Sequence, residues 1–358
     1  MAPAAVALSA PAAAYLDLDI ARLADYAPQL PAHYDAQAVA GDNTPAANAP
    51  SNAVATLGRV LFHDKRLSVN NTVACATCHQ QALGFADSRR FSAGFSGTAF
   101  TTAHAMRLAN LRYWAPGTMF WDRRAATLEP QATQPIQHPV EMGFDASNGG
   151  LAALVTKMNS LPYYPELFAL AYGDAAISED RIQRALAQFQ RAMVSTGSRW
   201  DTGFAQVFNP GAANRGLNAD LPNFTAQENR GRQVFMGNAA NCSACHVPPT
   251  FALAANSRSN GLDAGETTVF KSPSLKNVAL SSNFMHDGRF ASLEEVVEHY
   301  NSGVQDGPAL DNRLRGPQGQ PRRLNLTDAD KAALVAFLRT LSDPVLAADA
   351  RFANPFRQ

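Results

Sequence analysis

Cys75-Ala76-Thr77-Cys78-His79 sets two thiols two residues apart with an imidazole directly after the second. The same pattern recurs at Cys242-Ser243-Ala244-Cys245-His246. This spacing suits covalent attachment of a c-type haem. The two thiols add to the two vinyl groups, and the histidine beside the second thioether becomes the proximal iron ligand. The two motifs use all four cysteines, so no thiol remains for a disulfide. A lone Cys-x-x-Cys could also be a redox dithiol or half of a zinc site. Here both are completed by histidine, and no further Cys-x-x-Cys or His-x-His cluster could close a zinc tetrahedron.

The chain has 358 residues, enough for two domains. Thirty basic and thirty acidic residues give a net charge of zero. With no long basic run, nucleic acid is not an expected partner, and steering by net charge is weak. No apolar run approaches the roughly 20 residues of a membrane span. Residues 1–14 are rich in Ala and Pro and could be the remnant of a signal peptide, although a positively charged leader is missing. Haem attachment to Cys-x-x-Cys-His takes place outside the bacterial cytoplasm, so the expected location is the periplasm.

Helical signals surround the two motifs. Ser51 can cap a helix running through Leu57 to Phe62, and a second follows Thr127 with Pro130 in its first turn. A third follows Ser178, where Ile182, Ala185, Leu186, Phe189 and Met193 repeat at helical spacing. Thr225 with Glu228 and Ser292 with Glu295 form capping boxes, and a last helix starts at Thr327 and stops before Pro344. β-branched alternation is scarce. The expected fold is all-α, with long loops and two cytochrome c-like domains, each carrying one covalent haem. The expected layout is an extended N-terminal arm (1–50), a first haem domain (51–207), a linker rich in Asn, Gly and Pro (208–222), a second haem domain (223–342) and a C-terminal tail (343–358).

The two halves repeat one another. Gly58-Arg59-Val60-Leu61-Phe62 matches Gly231-Arg232-Gln233-Val234-Phe235, and Leu108-Ala109-Asn110-Leu111 matches Leu275-Lys276-Asn277-Val278. The stretch from Trp121 to Glu129 matches His286 to Glu294. Tyr300 lies 14 residues after His286, and the position 14 after Trp121 is Pro135. If the second helix delivers a sixth ligand to its haem, Pro135 leaves the first haem open. An open haem with a proximal histidine binds peroxide, whereas one closed on both faces passes or stores electrons.

With Phe120-Trp121-Asp122-x-Arg124-Ala125 between the motifs and Phe284-Met285-His286-Asp287-Gly288-Arg289-Phe290 after them, the chain resembles the bacterial dihaem cytochrome c peroxidase and MauG superfamily over residues 50–345. The resemblance implies a peroxidatic haem held by Cys75, Cys78 and His79, and an electron-transfer haem held by Cys242, Cys245 and His246. It implies that Trp121 carries electrons between them. A distal Gln, Pro and Glu match Gln131, Pro135 and Glu141. Chemically, Glu141 could move a proton from the near to the far peroxide oxygen, and Gln131 could hold a water or peroxide. Read without the family, Glu141 could be a solvated carboxylate and Trp121 a core residue; Trp114 and Trp200 are read as core. His104 and His138 are read as loop or packing histidines. Classical members place a distal histidine after the first motif, but none occurs between Gln80 and Ala103. The first haem is therefore expected open at rest, with His104 the nearest histidine that could serve as a conditional ligand. The family often holds calcium between its domains. The matching positions are His104, Ser281 and Asn283, which depart from its usual ligands.

The sixth ligand of the second haem divides the family: methionine in classical peroxidases, tyrosine in MauG-like members. Tyr300 occupies that register, with Met285 and His299 as rivals. A phenolate favours high oxidation states, and a thioether favours a haem ready to accept electrons. The resemblance thus implies a peroxidase that uses hydrogen peroxide to form a high-valent state shared by two haems, and that oxidises Trp or Tyr side chains of a periplasmic partner protein. The alternatives are a cytochrome c peroxidase fed by a small electron-donor protein, and a dihaem electron-transfer cytochrome without enzymatic activity.

Overall fold

The computed structural model describes residues 7–357. Met1 to Val6, part of the stretch read as a signal remnant, lie outside the described residues. Helices dominate, and the one sheet among the described residues is His246–Val247 paired with Ala252–Leu253. The helix starts follow their caps. Ser51 accepts from the Val54 N–H at the head of Asn52–His63, and Ser178 accepts from the Arg181 N–H at the head of Glu179–Arg191. Reciprocal capping boxes open Ala226–Met236 and Leu293–Glu298, and Thr327 caps Asp328–Arg339. Each cap satisfies a backbone donor that the first turn leaves free.

The repeat is built into the packing. Helix Asn52–His63 lies on Glu179–Arg191, and Ala226–Met236 lies on Asp328–Arg339. Both pairs approach over a glycine. A Cβ on Gly58 would overlap the Ala185 carbonyl and Phe189 Cβ, and one on Gly231 would overlap the Ala333 carbonyl and Phe337 Cβ. Asn110 and Asn277 both adopt left-handed backbone, with φ 60° and 63°. Each amide oxygen accepts from a backbone N–H, that of Ser195 at 2.8 Å and that of Asp343 at 2.6 Å.

Two cores result. The first gathers Leu57, Leu61, Phe62, Tyr164, Leu186 and Phe189. The second gathers Trp200, Phe235, Phe251, Val297, Phe337 and Leu341. Helix Arg199–Val207 falls within residues 51–207, yet Trp200 and Phe204 belong to the second core. The arm is not loose: Ala12, Leu16, Ile20 and Tyr26 are buried in the first core. Nor is the C-terminal segment a free tail. Leu346 and Phe352 join the first core, and Arg59 Nε donates to the Ala353 carbonyl at 2.7 Å. Helices Gly150–Asn159 and Tyr163–Tyr172 have no counterpart among the expected elements. Neither has a side-chain cap, since Gly149 and Pro162 precede them, so their starts carry no local signal.

Candidate active site

The first motif forms one helical turn, Cys75–Cys78, with His79 as its C-cap. The His79 Nδ1–H donates to the Phe85 carbonyl at 2.9 Å, which leaves Nε2 as the lone-pair nitrogen. Burial lowers the pKa of His79, so the ring is held in the neutral form that binds metal. Burial pushes the Cys75 thiol up to about 12 and Cys78 up to about 11. Reactive dithiols show the opposite shift. These thiols are suited to stable thioethers rather than to disulfide exchange.

Helix Leu128–Ala132 carries Gln131, and the next turn, Gln134–Gln137, has Pro135 near its start. Glu141 follows in a loop tied down by the Phe95 N–H, which donates to the Glu141 carbonyl at 2.9 Å. The Glu141 carboxylate lies 3.7 Å from His138 Nδ1. Burial raises its pKa above the ordinary carboxylate value, with His138 and then Arg124 opposing. Its charge in turn adds to the rise of both Cys75 and Cys78. Gln131 and Pro135 are half-buried on the same segment.

The second motif opens on a cleft of about 1560 Å³. Cys242, Cys245, His246, Met285, His286 and Tyr300 line it together with Trp121 from the first half. Burial pushes the Cys242 thiol up to about 12 and His246 down to about 4. His246 Nδ1 is buried without a hydrogen-bond partner among the described residues. Tyr300 sits in the π-turn His299–Gly303, which directly extends helix Leu293–Glu298. Such widened turns often mark functional sites. Burial raises the phenol pKa, a hydrogen bond with Asn260 opposes it, and the charges of Cys245 and Cys242 add to the rise.

A family profile described as di-haem cytochrome c peroxidase matches residues 52–206 and 233–349. The chain belongs to the di-haem cytochrome c peroxidase family. It is 33% identical over 311 residues to the methylamine utilization protein MauG of Methylophilus methylotrophus, covering 82% of this chain and 83% of that one. It is 29% identical over 317 residues to the cytochrome c551 peroxidase of Nitrosomonas europaea, covering 82% and 81%. A solved MauG-like protein associated with microbial copper homeostasis superposes with a TM-score of 0.72 at 31% identity, covering 91% of this chain and 98% of that one.

As a member of this family the chain is a haem-dependent oxidoreductase that acts on peroxide. The residues fit the haems: each motif offers two protonated thiols and a neutral imidazole, and the second does so in a cleft with a largely apolar wall. In this peroxidase the rivals of Tyr300 differ in placement. His299 is buried and its Nε2 lies 3.1 Å from the Asn260 carbonyl. Met285 lines the cleft, with the Asn260 amide donating to its sulfur at 3.2 Å. His104 turns Nδ1 toward the Arg89 and Arg90 carbonyls, at 3.2 and 3.1 Å. The Ser281 hydroxyl donates to the Asn283 carbonyl, and the Asn283 amide donates to the Gly288 carbonyl. Trp114 and Trp200 are buried, whereas Trp121 is half-buried at the cleft. The sequence reading missed His138 as the neighbour of Glu141; its spacing three residues earlier is the signal. It also missed Arg107 and Lys271, which carry no motif. Among the described residues no helix is long and apolar enough to cross a membrane.

Proposed function

We propose that this peroxidase uses hydrogen peroxide to oxidise Trp or Tyr side chains of a partner protein in the periplasm. Two c-type haems, joined to Cys75 and Cys78 and to Cys242 and Cys245, would serve it. The observation that carries the reading is Tyr300, which lines the same cleft as Cys242, Cys245 and His246. Bound there, the haems supply the iron that meets peroxide and a store for its two oxidising equivalents. The chain's own groups do the rest. His79 and His246 would hold the two irons through their imidazoles. Glu141 would take a proton from one peroxide oxygen and return it to the other, a role suited to a carboxyl whose pKa burial raises above its ordinary value. Gln131 would orient the peroxide by hydrogen bonding, and Pro135, which has no ligand atom, would leave the iron beside it free to meet peroxide. Tyr300 would hold the iron of the second haem through its phenolate oxygen, a hard anionic donor that favours high oxidation states. Trp121 conducts between the two haems. Calcium at His104, Ser281 and Asn283 has no support in their contacts: His104 Nδ1, the Ser281 hydroxyl and the Asn283 amide nitrogen meet backbone carbonyls, and the Asn283 side-chain oxygen accepts from the Ser282 hydroxyl.

The second reading, a cytochrome c peroxidase fed by a small electron-donor protein, is favoured by Met285, whose thioether shares the cleft. Electron paramagnetic resonance of the resting ferric protein separates the two. A high-spin signal with a low-spin His/Tyr signal supports the first, and a His/Met signal overturns it. The solved relative is associated with copper homeostasis, so copper-binding periplasmic proteins are the first partners to test. A mass shift of such a partner after peroxide treatment is the expected product.

A further inference from the structure

Among the residues that line the second cleft, Asp311 is the single carboxylate. It is already taken: Arg313 Nε and Nη2 hold it at 2.8 and 2.7 Å, and the Arg258 N–H donates to it at 2.8 Å. Two buried cations line the same cleft without any acidic partner, whereas Arg258, which also lines it, is exposed and donates to the Pro308 carbonyl. Arg107 is 8% exposed, and its Nε is buried without a hydrogen-bond partner among the described residues. Lys271 is 3% exposed, and the contact found for its ammonium is the Met106 sulfur at 3.0 Å. Neither forms an ion pair among the described residues, whereas the buried Arg191 and Lys276 both do. An unpaired buried cation is costly, and proteins retain one where an anion is to be received. Burial works against both charges, lowering Lys271 to about 7 and Arg107 to about 10.

We propose that Arg107 and Lys271 form a carboxylate-binding pair that takes the propionates of the second haem. This rests on the reading of the cleft as a haem site. The pair is assembled from both halves of the chain. Arg107 comes from the first half and lines the cleft with His246 of the second. Lys271 comes from the second half, and its backbone N–H donates to the Trp121 carbonyl at 2.7 Å. A propionate held by Lys271 is thereby tied to Trp121, so the edge of the second haem is positioned against the aromatic between the halves. Arg107 and Lys271 are positioning residues: they set where the haem sits and what charge surrounds it.

The test uses the holoprotein with haem carboxylates labelled by ¹³C, and the variants R107Q, K271Q and K271R. Haem content is read by pyridine haemochrome and intact mass, and the labelled carboxylates by redox-difference infrared spectroscopy at pH 7. The midpoint potential of the second haem is read by titration. In the wild type the second haem's propionates should both be ionised. R107Q and K271Q should each shift the carboxylate bands and lower the midpoint potential, because a cation near iron favours the reduced state. K271R should restore both. With two haems bound, unchanged bands and potential in R107Q and K271Q overturn the proposal. So does a protonated propionate on the second haem of the wild type, a measurement that needs no variant. A wild type lacking a second covalent haem would instead overturn the haem-site reading itself.

Discussion

His104 and Lys271 stand at equivalent places in the two repeats, each four residues before the matched Leu108 and Leu275. Each donates its backbone N–H across the boundary between the halves. His104 donates to the His286 carbonyl at 2.8 Å, and Lys271 donates to the Trp121 carbonyl at 2.7 Å. The Trp121 indole N–H completes the tie by donating to the His104 carbonyl at 2.8 Å. Trp121 and His286, themselves repeat equivalents, pack edge-on with centroids 6.4 Å apart. The aromatic proposed to conduct between the haems is therefore fixed by backbone from both halves, and its position does not depend on side-chain rotamers alone.

Replacing Tyr300 by Phe should leave both haems attached and remove the low-spin His/Tyr signal of the second. Electron paramagnetic resonance of the ferric variant checks this. An unchanged low-spin signal would eliminate Tyr300 as ligand and turn attention to Met285, which lines the same cleft.

Glu141→Gln should slow peroxide cleavage by about 10²–10⁴-fold, the usual range for loss of a positioned acid–base group. In the wild type the rate should rise with pH through a pKa above the ordinary 4.5 of glutamate, because burial raises this carboxyl. His138 opposes that shift, so His138→Ala should move the limb to higher pH. Stopped-flow rates across pH measure both effects.

Gly58→Ala and Gly231→Ala should each destabilise the protein. The added methyl strikes a carbonyl of the facing helix in both cases. Overpacking of this kind costs about 1–3 kcal/mol, more than the roughly 1 kcal/mol that alanine contributes to a helix. Thermal unfolding of the holoprotein should show lowered midpoints for both variants.

The ion pair Glu129–Arg191 has a repeat counterpart in Glu294–Arg339, but only the first is buried. Burial works against ionisation of Glu129, yet hydrogen bonds from Arg191 and Asn48 hold its pKa down to about 2. A folded-state pKa below the unfolded value gives stability that is fully present above pH 4.5 and lost as pH falls through about 2. Glu129→Gln strands Arg191 and should cost about 3–5 kcal/mol at neutral pH. Glu294→Gln, at an exposed pair, should cost about 0–1 kcal/mol. Denaturant unfolding of the two variants makes the comparison.

Local chemistry made much of this protein legible. Caps at Ser51, Ser178, Thr225, Ser292 and Thr327 mark helix starts because the cap and the group it satisfies lie within one turn. Helices Gly150–Asn159 and Tyr163–Tyr172 were not legible, because tertiary burial holds them rather than a cap. For the same reason Trp200, next to the linker, gave no sign that it belongs to the second core. The match of Pro135 to Tyr300 could be counted along the chain, whereas the neighbourhood of Glu141 and His138 needed the loop to close.

The sequence by itself determined the two Cys-x-x-Cys-His motifs, the repeat, the family, and the Tyr300 register, since each depends on residue type and spacing along one stretch. The tertiary structure alone decided that Arg107, Trp121 and Lys271 meet at one cleft, and that Asp311, already bound, has no charge to spare for them. These residues come from separate loops. Their burial and lack of partners arise only when the two halves pack, because desolvation and charge pairing are properties of the assembled neighbourhood rather than of any segment.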